Sequence, residues 1–197
     1  MKKNINRVAV IGSGVMGSGI ACHFANIGIN VLLLDIAPNE LNGKEKNLGL
    51  SLDNKKVKNR IVTEMFQRCI KSKPAPLYHK NFANRVELGN LTDDLCKISN
   101  VDWIIEVVTE KLKIKQIVFE QIEKFRTPGT LVTSNTSGIP IKQMNVGRSE
   151  DFRKNFAVTH FFNPPRYLKL FEIIPGPDCD PKIIDFLNDF GERFLGK

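Results

Sequence analysis

The run Gly12-Ser13-Gly14-Val15-Met16-Gly17 sits between a strand-like and a helix-like segment, and it confines the chain to few folds. Residues 8–11 are a short apolar run, the pattern of a strand buried on both faces. Met16, Ile20, Phe24 and Ile27 then recur at helical spacing, and Gly28 can close that helix. A second apolar run, 31–34, ends at Asp35. Together these residues predict one βαβ unit. In its turn, Gly12 permits the tight bend and Gly14 lets the backbone approach a pyrophosphate. Gly17 lets the helix lie close to the strand. The amides of Ser13, Val15 and Met16 complete the candidate phosphate cradle, at the positive end of the helix.

Asp35 follows Gly12 by 23 residues, where a carboxylate can accept hydrogen bonds from an adenosine ribose. Its charge would repel a 2′-phosphate, so NAD is favoured over NADP. FAD and S-adenosylmethionine share parts of this pattern, but the residues further along disfavour them.

Beyond Asp35 the region 39–82 is polar and basic, with one helical apolar stripe (Ile61, Met65, Phe66, Cys69, Ile70), and predicts an inserted helical pair. Eleven basic and three acidic residues lie between Lys44 and Arg85, an excess equal to the +8 of the whole chain. The positive surface therefore belongs to one segment. It can be a solvated face or meet a polyanion. No nucleic-acid motif accompanies it, which favours a small polyanion over nucleic acid. Strand–helix alternation then resumes, with strands expected at 85–88, 103–108, 130–133, 156–160 and 168–173, and a last helix over 181–194. The expected architecture is α/β, a Rossmann-like doubly wound and mainly parallel sheet. The basic helical insertion follows the second strand, and an antiparallel strand pair ends the sheet. No apolar run approaches the roughly 18 residues of a membrane span, and no apolar leader precedes the first strand, so a cytoplasmic protein is expected. The four cysteines lack the spacing of a metal or disulfide framework, and no metal site is expected.

His160 ends one strand, Glu172 lies in the next, and each stands six residues from Arg166. In a symmetrical antiparallel hairpin such residues face each other. A carboxylate on one imidazole nitrogen fixes the tautomer and raises the basicity of the other, which suits a base removing a hydroxyl proton. Asn135 and Ser137 follow another strand end on the same rim, where they can cap a helix near Ile139 or bond a substrate oxygen. Glu110 and Lys115 begin the helix after the strand ending at Val107 and Val108. Taken by themselves they fit a favourable first-turn acid and a solvated lysine.

These residues resemble the L-3-hydroxyacyl-CoA dehydrogenases of fatty-acid β-oxidation over essentially the whole chain. The likeness rests on residues 10–17, Asp35, Glu110 with Lys115, Ser134-Asn135-Thr136-Ser137, and above all His160-Phe161-Phe162-Asn163-Pro164 with Glu172. The 163–167 stretch is most similar to bacterial multifunctional β-oxidation proteins. The resemblance implies that NAD is the cofactor and that Asp35 holds its adenosine ribose. It implies that Glu110, Lys115, Ser137 and Asn163 line the nicotinamide side; Val107, Val108 and Asn135 complete the candidate cofactor set. His160 would be the base toward a 3-hydroxyacyl-CoA, Glu172 would orient it, and Ser137 would touch the substrate. The basic insertion would meet coenzyme A, with Arg68, Lys71 and Lys73 as candidates. Family members also carry a C-terminal helical domain that closes the cleft and makes much of a homodimer interface. Residues 1–197 are therefore expected to be the NAD-binding domain without that partner. A dehydrogenase of a free hydroxy acid and a non-catalytic NAD-binding module are the competing readings.

Overall fold

The computed structural model describes residues 4–197. Its sheet begins with β1 (Arg7–Ile11), α1 (Val15–Asn26) and β2 (Asn30–Asp35), the βαβ unit expected from the glycine turn. The insertion forms α2 (Gly43–Asn47), α3 (Lys55–Lys58) and α4 (Arg60–Ile70). A 3-10 turn (Lys80–Arg85) leads into β3 (Val86–Asn90). Next come β4 (Trp103–Glu106), α5 (Leu112–Phe125), β5 (Leu131–Ser134), α6 (Ile141–Met144) and α7 (Glu150–Lys154). The chain then forms β6 (Phe156–Phe161), β7 (Phe171–Pro175) and α8 (Pro181–Phe190). The strand order is β3-β2-β1-β4-β5-β6-β7. Every neighbouring pair is parallel except β6 and β7. This is the expected doubly wound sheet with its terminal antiparallel pair.

Two apolar layers cover the sheet. One face packs Phe24, Trp103, Phe161, Leu187 and Phe190 between α1 and α8. Phe119, Ile122, Phe152 and Phe156 fill the other, beneath α5 and α7. The central strands are buried on both faces, which is why they read as unbroken apolar runs.

The insertion departs from the expected helical pair. Asn42 and Asn54 cap two very short helices and Gly49 turns left-handed between them, so only α4 reaches three turns. The strand expected at 168–173 begins at Phe171 instead. The amides of Tyr167 and Leu168 both donate to the Pro164 carbonyl, closing a turn that delays the strand. The helix expected to run to Phe194 stops at Phe190 and continues as a wider π-type turn, Gly191–Leu195.

Gly17 carries the tightest contact of the first unit. A Cβ there would lie 1.8 Å from the Gly12 carbonyl oxygen, which is backbone and has no room to retreat. Gly17→Ala is expected to lift α1 from β1 and cost at least about 3 kcal/mol, read as a lowered urea midpoint; an unchanged midpoint would refute that packing.

His23 is buried on α1 with Nδ1 unpartnered and Nε2 3.2 Å from the Leu195 carbonyl. Burial, reinforced by the Lys197 charge, pushes its pKa down to about 4 from 6.5. The unfolded chain therefore binds the proton first as pH falls, so folding stability drops between pH 6.5 and 4. From pH 7 to 5 this group is expected to remove about 2 kcal/mol. His23→Leu should flatten that part of the stability–pH curve, and an equally steep curve in the variant would assign the slope to other groups.

Candidate active site

The turn after β1 presents the start of α1 to open space. The helix has no side-chain cap and no acid in its first turn, and a Cβ on Gly14 would touch nothing within 4 Å. The first intrahelical bond runs from Ser18 to the Gly14 carbonyl, so the amides before it have no acceptor within the helix. Such a bare, amide-lined turn fits a pyrophosphate. Gly12 is wedged against the segment that leaves β4, where a Cβ would stand 2.6 Å from the Val107 carbonyl oxygen.

Asp35, at the end of β2, closes one side of the turn. Its Oδ2 accepts the Ser13 amide at 2.6 Å and the Ser13 hydroxyl at 2.5 Å, and its Oδ1 accepts the Ile36 amide. The carboxylate is thereby held against the glycine turn.

Across the same rim lies a cavity of about 510 Å³ that gathers most of the expected site residues. Gly14, Val15 and Met16 form one wall, and Val107, Val108 and Glu110 form a second. Asn135 and Ser137 meet His160 and Asn163 on the third. His160 and Glu172 are direct partners in the β6–β7 register, as the hairpin symmetry required. The imidazole Nδ1 lies 2.7 Å from Glu172 Oε2. The Phe162 ring packs against the imidazole, with centroids 4.4 Å apart. With Nδ1 committed to the carboxylate, Nε2 is the nitrogen available to a ligand. The Asn135 side chain supports this strand by accepting the Phe161 amide at 2.8 Å.

Lys115 is not a solvated lysine. It is 1% exposed, and its ammonium lies 2.8 Å and 3.1 Å from the two oxygens of Glu106, which is itself fully buried. Glu106 also accepts the Ser134 hydroxyl at 2.5 Å and the Val108 amide at 2.7 Å. Burial pushes the Glu106 carboxyl up, and Lys115, Ser134 and the Val108 amide all act against that rise. On the solvent side Lys115 lies 3.3 Å from Glu110. Burial likewise pushes the Glu110 carboxyl up, but the Thr136 hydroxyl, Lys115 and the Gly138 amide outweigh it and hold it below its ordinary range. Glu110 also accepts the Ser137 amide. Lys115 therefore stands behind the cavity wall and orders it, whereas Glu110 lies on the wall.

Glu106 and Thr136 were not singled out from the sequence. An acid inside the apolar run 103–108, with a lysine nine residues on, was the available signal for Glu106. Of the basic candidates, Arg68 and Lys73 line a second cleft of about 360 Å³ between α4 and the 163–166 loop, and Lys71 does not. Among the described residues no three His, Cys, Asp or Glu side chains converge as a metal set, and no helix is long and apolar enough to cross a membrane.

The model of the 3-hydroxyacyl-CoA dehydrogenase NAD-binding domain matches residues 7–197. The chain belongs to that family. As its NAD-binding domain, it is 51% identical over 197 residues to a probable 3-hydroxyacyl-CoA dehydrogenase of Bacillus subtilis. It is 36% identical over the same length to a putative fatty acid oxidation complex trifunctional enzyme of Rickettsia felis. In both cases it spans its whole length but 25% of the relative. The crystal structure of 3-hydroxybutyryl-CoA dehydrogenase from Escherichia coli K12 superposes with a TM-score of 0.70 at 28% identity, covering 98% of this chain and 37% of that one. The expected fold and NAD cofactor agree with these findings.

Removing one member of the buried pair leaves the other charge unpaired. Lys115→Ala is expected to cost about 3–5 kcal/mol in chemical unfolding, while the double change Glu106→Leu/Lys115→Met should recover most of it. Equal losses in the single and double variants would mean the pair matters only for packing.

Proposed function

We propose that this chain is the cofactor-binding part of an enzyme oxidising (S)-3-hydroxyacyl-CoA to 3-oxoacyl-CoA in fatty-acid β-oxidation. The observation that carries the reading is that His160, held by Glu172 at 2.7 Å, lines the cavity that the Gly14–Met16 turn also lines. A base and a dinucleotide cradle on one rim suit removal of a proton from a hydroxyl while hydride leaves the carbon beneath it. The Rickettsia relative's name supports the β-oxidation setting.

In this reading Asp35 and Ser13 hold the adenosine ribose, and the amides of residues 14–17 hold the phosphates. Val107, Val108, Glu110, Asn135, Ser137 and Asn163 border the nicotinamide, with Lys115 fixing that border from behind. NAD, when bound, supplies the hydride acceptor. His160 Nε2 takes the hydroxyl proton, and Glu172 holds the ring's tautomer and offsets the imidazolium charge. Ser137 contacts the substrate oxygen. Arg68 and Lys73, on the 360 Å³ cleft, meet the phosphates or pantetheine of coenzyme A; Lys71, off its lining, has a weaker claim. A helical domain following residue 197 completes the cleft and the homodimer. The four free cysteines accord with a reducing, cytoplasmic setting.

In a chain carrying that helical domain, His160→Ala is expected to lower kcat for acetoacetyl-CoA reduction about 10²- to 10⁴-fold while NADH affinity stays within about threefold. Activity surviving the change would remove His160 as the base. Calorimetry on the 197-residue chain should show NADH binding, with NADPH roughly 30-fold weaker because its 2′-phosphate would face Asp35. Equal affinities would overturn the ribose role of Asp35.

A further inference from the structure

The 360 Å³ cleft has two walls that come from distant parts of the chain. One is the end of α4 with the segment through Pro76, including Arg68, Lys73 and Pro74; the other is Asn163–Arg166, the loop leaving His160. Segment 75–78 has no regular structure, and Pro76 deprives it of one amide donor. Its polar backbone is satisfied from outside. Asn26 of α1 donates from Nδ2 to the Pro76 carbonyl and accepts the Tyr78 amide, each at 2.8 Å. The Ala75 and Leu77 carbonyls are bonded from the opposite wall. Arg166 Nη1 donates to the Ala75 carbonyl at 2.6 Å and to the Leu77 carbonyl at 3.0 Å. The Tyr167 hydroxyl adds a bond to the Ala75 carbonyl at 2.9 Å. The Arg166 guanidinium also lies 4.2 Å over the Tyr78 ring and 4.9 Å from the Tyr167 ring. From the far side, Lys197 donates to the Pro165 and Leu168 carbonyls, holding the loop that carries Arg166.

We infer that Arg166 is a positioning residue that latches the catalytic hairpin loop to segment 75–78, sets the width of the cleft and so sets its affinity for an acyl-CoA thioester. This rests on the proposed thioester reading of the cleft. Arg166 is basic and borders the cleft, yet its Nη1 bonds and its ring contacts commit it to the protein rather than to a phosphate. A lysine could supply the charge but not the planar group that bonds two carbonyls while stacking on tyrosine.

The test uses Arg166→Ala, Arg166→Lys and Tyr78→Leu in the 197-residue chain. Affinities for NADH and acetoacetyl-CoA are measured by titration, and amide exchange is followed by mass spectrometry. Arg166→Ala is expected to weaken thioester binding about tenfold, leave NADH binding within twofold, and speed exchange of the Tyr78 amide at least tenfold. Arg166→Lys should recover only part of the thioester affinity. Should Arg166→Ala fail to fold, Tyr78→Leu, which removes the stacking face alone, should show the same split at smaller size. Unchanged exchange at 77–78, or equal weakening of both ligands, would overturn the latch. Failure of the unsubstituted chain to bind the thioester would instead overturn the functional reading, and the exchange measurement alone would then decide whether the latch exists.

Discussion

The rim of this domain is organised by one buried ion pair. Lys115 and Glu106 are both buried, where two isolated charges would be costly. The geometry offsets that cost by giving Glu106 two further hydrogen bonds and Lys115 a second acid. Glu106 ends β4, takes the amide of Val108 and bonds the hydroxyl that ends β5. Lys115, from α5, also reaches Glu110, which gathers the Thr136 hydroxyl and the Ser137 and Gly138 amides. One pair thus ties two strand ends, a helix and the turn after β5. Glu110 and Ser137 on the cavity border are exposed, but what orients them is dry and charged.

Legibility from sequence followed the range of the interaction. The glycine turn was readable because its chemistry is local: close approach of α1 to β1 requires the absence of a Cβ, whatever surrounds it. His160 and Glu172 were readable because hairpin symmetry converts spacing into contact, and the register kept that pairing although β7 begins three residues later than expected. Lys115 was tied to the nicotinamide side only through family likeness, and its burial behind the wall was not readable. A lysine near a helix start is ordinarily solvated, and only the folded sheet shows that its partner is Glu106. The insertion resisted for a different reason. Short capped helices carry too little periodicity to count, and their positions are set by contacts such as Arg60 with Glu45 and Asn90 with Asn59.

The positive charge of 39–82 also means something different once its partners are known. Lys58 pairs with Asp93, and Arg60 pairs with Glu45. Arg85 donates to the Ala25 carbonyl and lies over the Phe82 ring. Part of the excess is therefore consumed in fastening the insertion to the sheet and in internal contacts, and a net count overstates what a ligand would feel. The residues that face the cleft, Arg68 and Lys73, are few.

That cleft and the rim cavity are not separate features. Gly14, Val15 and Asn163 border both. A ligand lying along the cleft toward Asn163 would arrive beside the first turn of α1 and within the cavity that contains His160. Of the 163–166 loop only Asn163 borders both volumes; Pro164, Pro165 and Arg166 border the cleft alone. Held at Arg166 by the insertion and at Pro165 and Leu168 by Lys197, this loop is anchored on its cleft side. In the proposed reading a long ligand spanning both volumes would meet a wall already fixed by these anchors, so that less of its orientation would depend on contacts along its length.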